Sequence, residues 1–216
     1  MNRIRMMFIC VALCICFMTG CGTTELEERC FPQLVMVGYE DDKVTYRADF
    51  PKVSSSSGQD SQNNEIQVPT VSAKNFEEGR KEYEGHLNKL ADYNHLKVLV
   101  FEEDFLEEKK AYEGMLDYLA KQEDFPRNTY VCAVDDIEEL MEIEENLPQD
   151  VGTYLELYLT NHEEKKDRLL TLGDLIDEKE NQEMVLYIPY LDVEGKYVEW
   201  RGYYAVGQGY EPIEID

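Results

Sequence analysis

Histidine and tryptophan are nearly missing from this sequence: its 216 residues hold three histidines, His86, His95 and His162, and one tryptophan, Trp200. His86 and His95 stand too far apart for the spacings by which imidazoles share a metal, and none of the three falls in a triad motif. A Gly-x-Ser-x-Gly elbow, a Walker phosphate loop and a dinucleotide glycine fingerprint are absent too, and Gly207-Gln208-Gly209 lacks the third glycine. No catalytic, cofactor-binding or metal-ligating residue is therefore expected, and the chain reads as a non-enzyme. Positive charge is scarce, with 21 Lys and Arg against 46 Asp and Glu, a net charge of −25. Such a surface is repelled by nucleic-acid phosphates and by anionic headgroups, so no nucleic-acid partner is expected. With so many acids, adjacent carboxylates such as Glu102-Glu103-Asp104 and Glu163-Glu164 read as solvated faces, and the ligand spacing of an EF-hand loop is missing. No apolar run is long enough to span a bilayer: Met6 to Gly20 falls short of the roughly 20 residues required.

That short run is nevertheless the first informative feature. Arg3 and Arg5 precede Met6 to Phe17, and Met18-Thr19-Gly20-Cys21 closes the run as a bacterial lipobox, the layout of an export signal. Residues 1–20 are then a lipoprotein signal peptide, and Cys21 is the lipidation site, carrying a diacylglyceryl thioether and, after cleavage, an acylated amino terminus of the palmitate type. The competing reading is an ordinary secretory signal with a chance cysteine. Each buried methylene contributes about 0.8 kcal/mol and two chains anchor stably, so the lipid bilayer is an expected partner through acylated Cys21, on the extracytoplasmic face. Cleavage removes two positive charges, Arg3 and Arg5, and leaves 196 residues carrying −27. Of the six cysteines, Cys10, Cys14 and Cys16 leave with the signal, and Cys30 and Cys132 remain as thiols. Cys132 lies in an apolar run and reads as a small buried side chain; a Cys30–Cys132 bridge is the alternative.

Residues 21–216 read as one α+β domain. Leu34–Tyr39 and Val44–Phe50 are β-rich and flank the turn chemistry of Glu40-Asp41-Asp42-Lys43, which predicts a hairpin. Residues 53–67 are serine-rich and polar, a flexible loop; an interdomain linker is the competing reading. Asn75 and Glu78 resemble a capping box opening a helix to about Ala91. Leu96–Phe101 reads as a buried strand, Asp104 to Phe125 as a second helix and Thr129–Val134 as a strand. Asp135 and Asp136 open a third helix that Pro148 stops. A further helix follows Gly152, and Thr171 with Asp174 caps a short one through Ile176. Met184–Ile188 and Tyr197–Val206, joined around Gly195, predict a second hairpin. Alternating strands and helices imply parallel neighbours, hence a mixed sheet with two hairpins and about four covering helices. Tyr187, Tyr190, Tyr197, Trp200, Tyr203, Tyr204 and Tyr210 crowd the last hairpin, either as cross-strand packing or as an interface.

The order of these segments resembles the N-terminal domain of the Ger(x)C family, the lipoprotein C subunits of spore germinant receptors. The resemblance starts at the lipobox and Glu25-Leu26-Glu27-Glu28-Arg29 and runs through Phe31-Pro32 and the Gly38-Tyr39 turn. It continues in His95 to Phe101 with Glu102-Glu103, Thr129 to Ala133 and Gly152-Thr153-Tyr154-Leu155. It ends in Ile188-Pro189 with Arg201 to Val206. Two departures stand out: Cys21-Gly22-Thr23-Thr24 lacks the Trp-Asp that often follows the lipid-bearing cysteine, and family members commonly continue into further α+β domains where this sequence ends at Asp216. The resemblance implies a non-enzymatic lipoprotein of the inner spore membrane that associates with integral-membrane germinant-receptor subunits and supports spore germination. No ligand site carries over. A free-standing cell-surface lipoprotein that captures a small ligand is the alternative, and an exported hydrolase a third.

Overall fold

β-rich runs flanking turn residues, and unbroken apolar runs between the two hairpins, set up the sheet. The computed structural model describes residues 28–51, 69–161, 169–181 and 187–205; the leader 1–20, Cys21, the loop 53–67, His162 and Tyr210 lie outside them. The strands are β1 (Arg29–Cys30), β2 (Leu34–Glu40), β3 (Lys43–Asp49), β4 (Val71–Ala73), β5 (Leu90–Ala91), β6 (Val98–Glu102), β7 (Tyr130–Val134), β8 (Tyr187–Glu194) and β9 (Tyr197–Ala205). The helices are α1 (Phe76–His86), α2 (Glu103–Glu107), α3 (Lys109–Leu119), α4 (Ile137–Glu142), α5 (Val151–Asn161) and α6 (Leu172–Asn181).

Seven strands form one mixed sheet in the order β4-β3-β2-β6-β7-β8-β9, and β1 with β5 form a separate parallel pair. The middle strands β2, β6, β7 and β8 run parallel, while β3, β4 and β9 are antiparallel to their neighbours. Helices cover both faces, which is why the central strands read as unbroken apolar runs. Val35, Val37, Leu99, Phe101, Val131 and Ala133 point to one core with α1, α2, α3 and α6. Leu34, Met36, Val98, Val100, Cys132 and Val134 point to the other, with α4 and α5.

The first hairpin turns at Asp41 and Asp42, both with positive φ, 51° and 59°. Two successive left-handed residues match the twist of the strands they join. Gly38 is not in a turn, as the resemblance had it: it lies within β2 opposite Thr45. The second hairpin turns at Gly195, φ 64°.

Among the described residues six α-helices accompany the sheet, where about four covering helices were expected; one expected helix is split in two and others differ in where they end. The helix expected from Asp104 is interrupted at Glu108, whose φ of −81° and ψ of 74° are not helical. The helix after Thr171 runs on to Asn181, with Thr171 and Asp174 capping it reciprocally: Asp174 accepts from the Thr171 N–H at 2.7 Å, and its own N–H reaches the Thr171 hydroxyl at 3.3 Å. Conversely, α1 stops at His86 rather than Ala91, since Leu90 and Ala91 pair with Arg29 and Cys30 instead. The Asn75 cap forms as expected, accepting from the Glu78 N–H at 2.9 Å. Cys30 and Cys132 are free thiols, both buried, and burial pushes both pKa values up.

Candidate functional site

The residues singled out from the sequence fall into four sets: Cys21, the histidines, the carboxylates after β6 and the aromatic hairpin. Cys21 lies outside the described residues. The two described histidines do not come together: His86 ends α1, and His95 sits edge-on to Phe31 at 5.2 Å between ring centroids. Among the described residues no group of three or more His, Cys, Asp or Glu side chains could hold a metal ion.

The carboxylates after β6 lie at the carboxyl end of the parallel strands, where ligands commonly bind in open sheets. Here two of the three serve the fold. Glu102, half-buried, accepts the Ile137 N–H at 3.3 Å and so caps the start of α4 from another strand. It also takes a backbone hydrogen bond from Tyr39, and burial raises its pKa. The carboxylate packs onto Gly38, whose missing side chain leaves the room it needs: a Cβ there would also stand 2.6 Å from the Thr45 hydroxyl. Glu103 accepts from the Tyr190 hydroxyl at 3.2 Å. Only Asp104 is the exposed acid that composition suggested. Sequence reading missed the brace because a run of three acids gives no sign of which one faces inward.

It also missed Arg80, nearly covered on α1. Its guanidinium lies over the rings of Tyr93 and Phe125, 4.5 and 4.9 Å from their centroids, and bonds Glu84 at 2.7 Å and Asp124 at 2.5 Å. Burial alone would lower its pKa, but these two carboxylates outweigh burial and raise it. The knot ties α1 to the segment after α3 and is structural.

The aromatic hairpin divides into packing and surface. Tyr203 and Tyr204 are buried, and Tyr190 is half-buried against the core. Register shifts between Tyr190 and Leu191, where Gly202 and Trp200 are their respective partners and Arg201 is the extra residue. Such a bulge re-aims a side chain, and Arg201 reaches Asp192 at 2.7 Å and also pairs with Glu194. The edge of β9 is guarded by α5. The Val198 N–H reaches the Tyr154 hydroxyl at 3.4 Å, and the backbone N–H of Trp200 bonds the Tyr158 hydroxyl. Covering an edge in this way blunts indiscriminate strand pairing. What stays in solvent is Tyr197, 72% exposed, Leu157 on α5, 44%, and Tyr187, 39%. Trp200 is partly buried and stacks edge-on with Tyr203 at 5.6 Å. Rings with one side packed and the other in water suit protein contact, and Tyr154 and Tyr158 on α5 and Trp200 on β9, partly buried against one core, are of that kind.

A family model described as the spore germination protein N-terminal domain matches residues 22–193. Comparison with curated proteins and with solved structures found no match.

Proposed function

The chain belongs to the family of the spore germination protein N-terminal domain, the Ger(x)C family, and from that premise we propose that it is a membrane-anchored lipoprotein acting as the C subunit of a nutrient germinant receptor. The carrying observation is the family match over residues 22–193, which begins at the residue after the lipobox cysteine. In this reading acylated Cys21 holds the chain on the extracytoplasmic face of the inner spore membrane. Its partners are the integral-membrane receptor subunits, and it turns over no substrate.

Two physical points support contact as the mode of action. The carboxylates at the strand ends are engaged in holding β2, β6, α4 and β8 together rather than standing free for proton transfer. The aromatic surface of α5 and β9, by contrast, is rigidly backed and partly exposed, and large preorganised rings bind at low entropic cost. The test is copurification of integral-membrane proteins from detergent extracts of spores. Wild-type chain brings down multi-spanning receptor subunits, whereas a Tyr197→Ser, Leu157→Ser double variant of unchanged melting temperature brings down at least about tenfold less, the loss expected for about 1.4 kcal/mol. Failure of the wild type to retain any membrane protein overturns the assignment.

A further inference from the structure

The open end of the first hairpin, where α5 begins, holds a carboxylate in unusual surroundings. Asp49 ends β3 opposite Leu34, whose side chain belongs to the core beneath α4 and α5; directly opposed residues share a face, so the Asp49 carboxyl turns the same way. Its Oδ2 atom is buried and has no hydrogen-bond partner among the described residues. The groups that face it are Glu144, from the turn after α4, and Asp150, at the head of α5, with the Phe50 N–H and Arg47 on its own strand. Arg47 is drawn off to Glu138 at 3.3 Å. Tyr83 of α1 faces it from the other side, its hydroxyl donating to the Ala48 carbonyl at 2.7 Å. Lys97 lies near the start of α5 but pairs with Glu156 at 2.9 Å.

The junction has no slack. A Cβ on Gly152 would lie 2.9 Å from the Gln33 carbonyl carbon, so the first turn of α5 rests directly on the backbone entering β2. The Thr153 hydroxyl stands 2.9 Å from the Gln33 side-chain oxygen. Asp150, only 6% exposed, caps the helix by accepting the Thr153 N–H at 2.7 Å. Packing this close is disturbed by small changes in charge or volume.

We propose that Asp49 is a proton-operated latch for α5: neutral, it lets Glu144, Asp150 and the helix start lie tight on the hairpin; ionised, it adds a third carboxylate charge to that junction and loosens the helix. Burial, reinforced by the charge of Glu144, pushes the Asp49 carboxyl up to about 7. Because the docked value lies above the ordinary one, the docked state is the one that holds the proton. Its advantage is full below about pH 4, falls as pH rises through about 7, and is constant above that. Since α5 carries Tyr154, Leu157 and Tyr158, the latch couples proton concentration to how firmly that aromatic face is held. It stands whether or not the face meets a receptor subunit.

Hydrogen exchange of the full, detergent-solubilised chain tests this, with exchange times rescaled for the intrinsic effect of pH. Opening of the α5 amides is expected to increase by roughly tenfold per pH unit between about pH 5 and about pH 7 and then to level off. Asp49→Asn removes that slope. Glu144→Gln, which takes away one repelling charge, moves the levelling point to lower pH. A wild-type α5 whose opening is independent of pH, or an Asp49→Asn protein that keeps the wild-type slope, overturns the proposal. Should the Asn protein not fold, an unmoved levelling point in Glu144→Gln overturns it equally.

Discussion

At the scale of single residues, the positions that matter most are those where one side chain joins several elements. Gly38 is one: a methyl group there forces the Glu102 carboxylate off the Ile137 N–H and crowds Thr45. Gly38→Ala is expected to cost about 1–3 kcal/mol, the usual range for overpacking, read as a lower denaturant midpoint at unchanged slope. Arg80 is another. Replacing its planar fork by an ammonium in Arg80→Lys gives up the stacking on Tyr93 and Phe125 and part of the pairing with Glu84 and Asp124. A loss of about 2–3 kcal/mol is expected, measured by thermal and urea unfolding; a change within about 0.5 kcal/mol would show that the knot is not a structural tie.

At the scale of elements, caps and edges decide where helices start and strands stop. Asp136 accepts from the N–H groups of Glu138 at 2.7 Å and Glu139 at 3.2 Å, the charge at a helix start that Asp135 and Asp136 announce in sequence. Asp136→Ala is expected to cost about 1 kcal/mol, seen as a lower melting temperature. α4 also has the Glu102 cap from β6, so the helix should persist in the variant and its far-ultraviolet circular dichroism should hardly change. The expected helix from Asp104 forms as two pieces parted at Glu108, and Phe105 and Leu106 on α2 still reach the same core as Tyr112 and Met115 on α3. Likewise Leu90 and Ala91 left the helix because pairing with β1, and the 2.7 Å ion pair of Arg29 with Asp92, brought in partners some sixty residues away.

At the scale of the whole molecule, the acidic charge and the proposed lipid anchor act in opposite directions on membrane association. If residues 1–20 are removed as proposed, the remaining chain would carry −27, a surface that offers an anionic bilayer no attraction, so in that reading the acyl chains alone would hold it. Cys21→Ser is therefore expected to shift the protein from the membrane pellet to the soluble fraction, and the mature wild-type mass should exceed its unmodified polypeptide by the acyl groups. Continued tight pelleting of the serine variant would refute the anchor.

Acidity, family, the two hairpins, the buried strands between them and most helix caps were legible in the order of residues alone. These rest on β-rich apolar runs, on turn residues and on side chains that reach only three residues along the chain. Tertiary structure alone decided which helices face which side of the sheet, which of Glu102, Glu103 and Asp104 turns inward, and that Tyr154 and Tyr158 would guard the edge of β9. It also placed Asp49 beside Glu144 and Asp150. Each of these depends on groups brought together from separate elements, often dozens of residues apart. Burial and charge at such junctions are properties of the folded neighbourhood, which local spacing does not encode.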